Sequence, residues 1–367
     1  MPSRRSFLCA LIASGSGAAS NKLLSQHVRA SVPLPKPIDR VALVRRHNPR
    51  VIRIDPLSPL SVGNGRFAFT ADVTGLQTLP QDYEKAMPLC TMSEWGWHTT
   101  LKPASLTNAS LRLTQYDTYG RQVGYQTSSE GQSELFNWLR ENPHRLHLGQ
   151  IGLCRTGSSN SEIKSSEITD INQRLDLWSG KLASSFKLAA ESFTVTSSVH
   201  PDLDLLAVNL ESKLIGTGSV GIRFAFPYGS PAMQAADWNS SDKHTTNIGG
   251  RGKSWVEIHR ALDNDTYAVR IEWEGLADLV PDGAHAFILK PRQGINQLSF
   301  TTHFSRTAKF ESGPSVKSTF KASADHWRKF WSEGGCIELG ESADKRAQEL
   351  ERRIVLSQYL TAIQCSG

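Results

Sequence analysis

Five segments between residues 192 and 304 have the residue pattern of β-strands, and they constrain the fold more than any other feature. They are residues 192–199, 205–210, 220–226, 267–273 and 297–304. The last three alternate apolar with other side chains, which is the period of a strand with one buried face. Gly, Pro, Asn and Asp cluster between them, and no helical pattern intervenes within residues 41–320. The sequence therefore predicts a mainly β fold, with large antiparallel sheets packed as a sandwich.

Two helices are predicted after the β-rich region. The first spans residues 322–331 and places Trp327 and Trp331 on one face, four residues apart. The second begins after Ser342, a residue type that caps helix N-termini. Its second half, residues 354–363, is apolar almost all round, so we expect it to be buried among other helices.

The first thirty residues have the features of an export signal. Ser3-Arg4-Arg5-Ser6-Phe7-Leu8 matches the twin-arginine signature, and the weakly apolar stretch that follows is too short to span a bilayer. Val28-Arg29-Ala30 fits a small-x-small cleavage site, so we expect the mature chain to begin near Ser31. This predicts a periplasmic or extracellular protein that is exported by the twin-arginine pathway.

Much of the basic character of the chain comes from this signal. Arg4, Arg5, Lys22 and Arg29 are four of the 41 lysines and arginines, and their removal leaves 37 against 35 acidic residues, a net charge of +2. No basic stripe remains that would favour nucleic acid or an anionic membrane surface, and no second apolar run reaches membrane-spanning length. The five cysteines are widely spaced without a CxxC pair, so neither a disulfide framework nor a metal site is predicted. We expect no cofactor.

Six segments of the mature chain resemble glycoside hydrolases that have a six-hairpin (α/α)6 toroid, in particular family 65 and an uncharacterised bacterial group with twin-arginine signals. The segments are residues 46–49, 58–69, 72–78, 88–98, 326–331 and 352–360. The resemblance covers residues 41–367. In that family a β-super-sandwich and linker helices precede the catalytic toroid. The resemblance implies a function in carbohydrate metabolism. It also implies the following division: signal 1–30, super-sandwich 31–320, linker helix 321–341 and first toroid helix 342–367.

The resemblance further implies that the catalytic carboxylates belong to the toroid, beyond the position of Gly367. Two such groups must face each other across the glycosidic bond, roughly 5 to 9.5 Å apart. No position in this sequence matches them. We therefore expect a chain truncated before the catalytic toroid. A truncated gene product, a frameshift and a split gene with a separately encoded toroid domain all remain open.

Trp95-Gly96-Trp97-His98 is the main candidate for substrate binding. Aromatic faces stack on the apolar side of a sugar ring, and His98 can hydrogen-bond to hydroxyl groups. Trp238, in a Ser/Ala-rich loop, is a weaker candidate of the same kind. The alternative for Trp95 and Trp97 is that both are packing anchors between domains, which is the commoner role of large aromatic residues. No catalytic residue is predicted.

Three other motifs resemble functional sites but have simpler explanations. Gly63-Asn64-Gly65 lacks the third glycine of a nucleotide-binding loop and is predicted to be a tight β-turn. His144 and His147 lack a nearby Glu or Cys to complete a metal site and are predicted to lie on the surface. Asp202 and Asp204 are too close together for an inverting acid/base pair and are predicted to shape a turn.

These patterns favour the non-catalytic N-terminal portion of an exported glycoside hydrolase that acts on oligo- or polysaccharide. One alternative is a free-standing carbohydrate-binding or assembly module. A less favoured one is a sandwich-fold sugar lyase or epimerase, because a fold alone does not fix a function. The expected partners are a carbohydrate and a separately encoded toroid domain, with no nucleic acid and no membrane.

Overall fold

The structure is a computed structural model, and it describes residues 37–106, 111–157, 162–294 and 296–364. These residues form twenty strands and six helices, so the predicted mainly β class is confirmed. The strands in chain order are β1 (Arg50–Val51), β2 (Leu60–Gly63), β3 (Phe67–Ala71), β4 (Thr91–Ser93), β5 (Trp97–His98), β6 (Thr114–Thr118), β7 (Arg121–Tyr125), β8 (His144–Arg145), β9 (Gln150–Arg155), β10 (Ile168–Asp176), β11 (Lys181–Leu188), β12 (Glu191–Val199), β13 (Leu205–Glu211), β14 (Val220–Ala225), β15 (His244–Arg251), β16 (Trp255–Leu262), β17 (Asp265–Glu274), β18 (Ala277–Pro281), β19 (Ala286–Pro291) and β20 (Gln297–Ser305). The helices are α1 (Arg40–Arg45), α2 (Pro80–Tyr83), α3 (Ser133–Glu141), α4 (Lys213–Gly216), α5 (Val316–Glu333) and α6 (Ala347–Gln364).

Two antiparallel sheets form the body of the fold. The larger has nine strands in the order β1-β10-β11-β12-β13-β20-β17-β16-β15, and the smaller has four in the order β18-β19-β14-β9. The rings of Phe224 on β14 and Phe300 on β20 meet edge to face in the shared core, with their centroids 5.6 Å apart. The two sheets therefore pack face to face as a sandwich. A three-stranded sheet, β2-β3-β4, and the strand pairs β5-β8 and β6-β7 complete the β-structure of the described residues.

All five predicted strands are present as β12, β13, β14, β17 and β20, with bounds within two residues of the predicted ones. The prediction of a single buried face is wrong for β20, in which residues 298–302 are buried in succession. This strand lies in the middle of the nine-stranded sheet, and α5 packs across its other face. Both faces of β20 are therefore removed from solvent.

The prediction that no helix interrupts the β-rich region is also wrong. Helix α3 lies between β7 and β8 and buries Leu135 and Phe136. It has nine residues, and its N-cap residue Gln132 makes no side-chain capping hydrogen bond. A short helix without a capping residue has little sequence signal.

Helix α5 fastens the C-terminal part of the described chain to the sandwich. It begins six residues before the predicted start, where the Ser315 hydroxyl accepts a hydrogen bond from the amide of Ser318. Trp327 and Trp331 lie on one face as predicted, and both are buried. The indole Nε1 of Trp331 donates to the carbonyl oxygen of Leu177 at 2.7 Å. The two tryptophans thus join α5 to the large sheet.

Helix α6 begins at Ala347, so the prediction of a start directly after Ser342 is wrong by four residues. The helix packs on the sandwich with one face. Val355, Tyr359 and Ile363 are buried, and the hydroxyl of Tyr359 donates to the carbonyl oxygen of Ser61 at 3.1 Å. Leu360 is 48% exposed, so the second half of this helix is buried on one side only. No described helix packs on its other side, so the expected burial among other helices stays a prediction. Strands β2 and β3 supply a surface for one face only.

Among the described residues, no helix is both long enough and apolar enough to cross a membrane.

Candidate functional site

A groove of about 880 Å³ is bounded by the β2-β3-β4 sheet, the β5-β8 pair and the end of α6. The turn Gly63-Asn64-Gly65 forms part of its wall and is a tight β-turn, as predicted. Gly65 has a φ of 95°, which glycine adopts without strain, and the side-chain oxygen of Asn64 accepts a hydrogen bond from the amide of Phe67. The Gly65 amide donates to the carbonyl oxygen of Ile363 at 3.1 Å. The turn therefore positions the end of α6 beside the groove.

Trp95 lines the groove, but its indole is fixed to the sandwich. Its Nε1 donates to Oδ2 of Asp204 at 2.6 Å, and the hydroxyl of Ser93 donates to the same oxygen at 2.6 Å. Its ring centroid lies 6.0 Å from that of Tyr267. The packing role therefore describes much of Trp95, and Asp204, which was predicted to shape a turn, also orients this indole.

Trp97 is the more accessible of the two tryptophans, with 46% of its surface exposed. Its Nε1 donates to the carbonyl oxygen of Glu94 at 2.9 Å, and the guanidinium of Arg145 lies 4.7 Å from its ring centroid. A cation over an aromatic face is attracted to the ring and restricts its motion. The ring of Trp97 is thus restrained by these two contacts and presents a half-exposed aromatic surface to the groove.

Arg145 was missed as a site residue. It reaches Trp97 because β5 and β8 pair in antiparallel register, with Trp97 opposite Arg145. Burial lowers the pKa of its guanidinium, yet the group remains a cation at neutral pH. The two residues are 48 positions apart in sequence, and no local pattern predicts this short pairing.

His98 lies outside the groove. Its exposed fraction is 1%, and its Nδ1 is 3.1 Å from Oδ2 of Asp265 while its Nε2 is 3.3 Å from Oδ2 of Asp263. The hydroxyl of Tyr228 donates to the same oxygen of Asp263 at 2.6 Å. Within this cluster the ring joins β5 to the turn between β16 and β17, and it presents no edge to a ligand in the groove.

The prediction that His144 and His147 lie on the surface is wrong, because they are 8% and 2% exposed. His144 pairs with His98 across β5 and β8, and His147 Nε2 lies 3.1 Å from the carbonyl oxygen of Leu89. Burial lowers the pKa of both imidazoles, that of His147 to about 4. Both rings are therefore neutral at pH 7 and belong to the interior.

Trp238 is 46% exposed but lines a different cavity, of about 360 Å³. Its ring meets that of His147 edge to face, with centroids 5.9 Å apart. The structure thus brings Trp95 and Trp97 together in one groove, whereas His98 and Trp238 lie elsewhere.

The described residues offer little chemistry beyond hydrogen bonding and aromatic contact at the groove. No group of three or more His, Cys, Asp or Glu side chains among them is arranged to hold a metal ion. Cys90, Cys154 and Cys336 carry free thiols. Burial raises the pKa of Cys90, which lines the groove, to about 12, so its thiol is protonated and unreactive at neutral pH.

Comparison with solved structures finds a protein that shares this fold. A protein assigned as a kojibiose phosphorylase from the human microbiome superposes with a TM-score of 0.54 and 10% identity, over 84% of this chain and 41% of that one. At this identity the likeness shows a shared fold and not a shared activity. The chain spans about two fifths of the length of the phosphorylase that it matches.

Two further structures align weakly. Both are of a family GH92 α-mannosidase from Bacteroides thetaiotaomicron, one of them in complex with mannoimidazole. The TM-scores are 0.31 and 0.33 at 9% and 8% identity, over 59% and 87% of this chain and 32% and 40% of the mannosidase. Scores in this range support no argument about fold or function. No family model and no curated protein matches the chain.

Proposed function

We propose that this chain is the exported, non-catalytic, carbohydrate-binding sandwich of a glycan-processing enzyme. In this proposal the groove at Trp97 binds the sugar, and the catalytic groups belong to a helical domain that packs beside α6. The exposed, held indole of Trp97 is the observation that carries it.

The groove has the chemistry of a saccharide site. Trp97 offers an aromatic surface, Arg145 offers donor groups beside it, and the Glu94 carboxylate lines the same groove. Concave sites for small ligands typically combine an apolar platform with a few placed polar groups, as here. The fold likeness to a phosphorylase named for the disaccharide kojibiose supports a sugar ligand over other small molecules.

The carboxylates of the groove support a non-catalytic role. Glycoside hydrolysis by the common mechanisms needs two facing carboxyl groups. Among the described residues that line the groove, Glu94 is the sole carboxylate, and it is exposed. Both groups would come from a separate helical domain, for which the exposed leucines of α6, Leu350 and Leu360, provide an apolar contact surface.

Export is part of the proposal and rests on the sequence of residues 3–8, which lie outside the described residues. The division into signal, super-sandwich, linker helix and first toroid helix is likewise proposed from the resemblance. A free-standing carbohydrate-binding module would use the same groove but would not bind a helical domain. A sandwich-fold lyase or epimerase would turn over a sugar without one.

The test is glycan binding by the mature chain, residues 31–367, to an array of neutral oligosaccharides that includes kojibiose and maltotriose. The Trp97→Ala variant is expected to weaken the binding about tenfold or more, because it removes the platform, and Trp97→Phe should retain most of it. Trp255→Ala is the matched control. Trp255 lies on β16, its ring contacts the guanidinium of Arg270, and it lines no part of the groove.

Two outcomes would contradict the proposal. If no oligosaccharide binds, or if Trp97→Ala binds as well as the unaltered chain, the groove is not a sugar site. If the mature chain alone cleaves or epimerises a bound sugar, the non-catalytic assignment fails and the lyase or epimerase alternative takes its place.

A further inference from the structure

A second concave site lies on the other side of the segment that carries Cys90. Two adjoining cavities of about 330 and 360 Å³ share five lining residues, namely Pro80, Gln81, Gln150, Glu162 and Arg223. They therefore form one cleft, which we name the Trp238 cleft after the aromatic residue at one end. None of the described residues that line it also lines the groove at Trp97.

The two sites are neighbours. Leu89 lines the Trp238 cleft, whereas the next residue, Cys90, lines the groove. The Cys90 thiol lies 3.6 Å from the carbonyl oxygen of Gln234, another residue of the cleft wall. The segment at residues 89 and 90 thus separates the cleft from the groove, and the two sites have no described lining residue in common.

Trp238 is positioned rather than loosely exposed. The backbone of Asp237 exchanges two hydrogen bonds with that of Tyr228, at 2.8 and 3.0 Å, which fixes the residue directly before Trp238. The ring of His147 contacts the indole edge to face, and His147 is itself buried. The cleft therefore has a fixed aromatic surface with about half of its area open.

The polar groups of the cleft suit a hydroxyl-rich ligand. The side-chain amide of Gln81 donates to Oε1 of Glu162 at 3.1 Å, and that of Gln150 donates to the carbonyl oxygen of Gln77 at 2.9 Å. Each amide keeps a carbonyl oxygen that accepts, and each can donate a second hydrogen. Planar donors and acceptors beside an aromatic face are the groups that recognise adjacent hydroxyls and the apolar side of a sugar ring.

Charge selects among sugars. Arg223 is paired with Asp282 at 2.7 Å, while Glu84 and Glu162 form no ion pair with any described residue. An anionic ligand would meet these carboxylates, and the one cation among the described lining residues, Arg223, is already paired. Like charges repel, which opposes the binding of an anion. The lining therefore excludes uronic acids and phosphorylated or sulfated sugars in favour of neutral ones.

We propose that the Trp238 cleft is a second saccharide-binding site, specific for a neutral sugar unit and independent of the groove at Trp97. It does not rest on the proposed function, because none of the described residues that line the cleft also lines the groove, and its argument involves no catalytic domain. A chain with both sites binds two sugar units and gains avidity for a polymeric glycan.

The experiment is a calorimetric titration of the mature chain with maltotriose, cellotriose, xylotriose and mannotriose, and with glucuronic acid as an anionic probe. A neutral trisaccharide should bind at two sites in the unaltered chain. Trp238→Ala should lose one of the two and weaken that site about tenfold or more, because the stacking surface is gone. Trp97→Ala should lose only the other, and glucuronic acid should not bind at the cleft.

Trp238→Phe keeps an aromatic ring and should keep the site, which separates lost stacking from lost folding. Trp255→Ala should retain both sites, and a circular dichroism melt verifies that each variant folds. The proposal is overturned if Trp238→Ala retains every binding event, if glucuronic acid binds the cleft more tightly than the neutral sugars, or if no neutral sugar binds there. Loss of binding in Trp97→Ala alone would leave the proposed function intact and refute the second site.

Discussion

Nε2 of His47 lies 2.6 Å from Oε1 of Glu351, and the two side chains are 4% and 2% exposed. The same carboxylate accepts a hydrogen bond from Nε of Arg46 at 2.8 Å, and its second oxygen accepts one from the amide of Leu339 at 2.6 Å. Glu351 therefore joins α6 to the segment that follows α1, across 304 residues of sequence. It also gives a physical role to Arg46 and His47, two residues on which the resemblance to family 65 depends.

Replacement of Glu351 by Gln should lower the free energy of unfolding by about 2 to 4 kcal/mol, since a buried carboxylate that accepts three hydrogen bonds is lost. Urea unfolding, monitored by tryptophan fluorescence, measures this loss of unfolding free energy. Glu349→Gln is the matched control on the same helix, because Glu349 pairs with Arg352 and Arg353 on the surface, where ion pairs contribute little. Equal losses of unfolding free energy in the two variants would show that the burial of Glu351 contributes nothing to stability.

Stability should depend on acid through the same carboxylate. Burial alone would raise the pKa of Glu351, but the hydrogen bonds from Arg46, the Leu339 amide and His47 outweigh it and bring the pKa to about 2, from 4.5 in the unfolded chain. A depressed folded-state pKa gives stability that is present above pH 4.5 and is lost as the pH falls towards 2, on the order of 3 kcal/mol. Unfolding free energies measured between pH 2 and 6 should therefore converge for the unaltered chain and Glu351→Gln at low pH. A constant difference across this range would contradict the assignment.

The sequence predicts the strands well and the contacts between distant elements poorly. Strands β17 and β20 are recognisable because their residue pattern is local, and so is the turn at Asn64. The partners of His98 are not, because Asp263 and Asp265 meet it only when the turn between β16 and β17 folds against β5. The surface position predicted for His147 fails for the same reason, since its burial depends on residues far away in the chain.

At the candidate site, too, the local pattern is predictable from sequence and the long-range contacts are not. Aromatic residues in a Gly-containing segment make Trp95 and Trp97 candidates from sequence alone. Which of the two is exposed depends on Asp204, which takes the indole hydrogen of Trp95, and on Arg145, which supports the ring of Trp97. Neither partner is near the tryptophans in sequence, so the distinction between an anchor and an open platform needs the fold.

The contact between Gly180 and α5 yields a prediction about the helix attachment. Gly180 has a φ of 65°, and a Cβ atom there would overlap the indole of Trp327. Gly180→Ala should therefore cost about 2 to 4 kcal/mol from backbone strain and core overlap together. Gly275→Ala isolates the strain, because Gly275 has a φ of 92° and open space around it, and should cost about 1 kcal/mol. Chemical denaturation measures the free energy of unfolding of both variants. Similar losses in the two would mean that α5 shifts to accommodate the added methyl group without a cost in stability.

The twin-arginine motif predicts a specific export defect. Replacing Arg4 and Arg5 together by Lys keeps the charge but removes the guanidinium groups, and should leave the precursor unprocessed inside the cell. Arg29→Lys makes the same chemical change elsewhere in the leader and should be exported normally. Cell fractionation followed by immunoblotting distinguishes precursor from mature chain. Normal export of the double variant would assign the leader to another pathway.

The outer side of α6 predicts association. Leu350 and Leu360 are 53% and 48% exposed, while the inner side of the helix is packed on β2 and β3. Exposed leucines on a helix that is already held by its other face favour contact with a second apolar surface. In the absence of a helical domain we expect the mature chain to associate with itself as its concentration rises, in sedimentation velocity runs.

Changing both leucines to Gln should abolish this association with little effect on stability, because neither side chain is in the core. The control changes Leu57 and Leu276 to Gln, which removes two leucines that are at least as exposed, at 73% and 53%, from loops remote in sequence from α6. If the control variant suppresses association as strongly, general hydrophobicity is the cause; if the unaltered chain stays monomeric at every concentration, this side of α6 is not an interface.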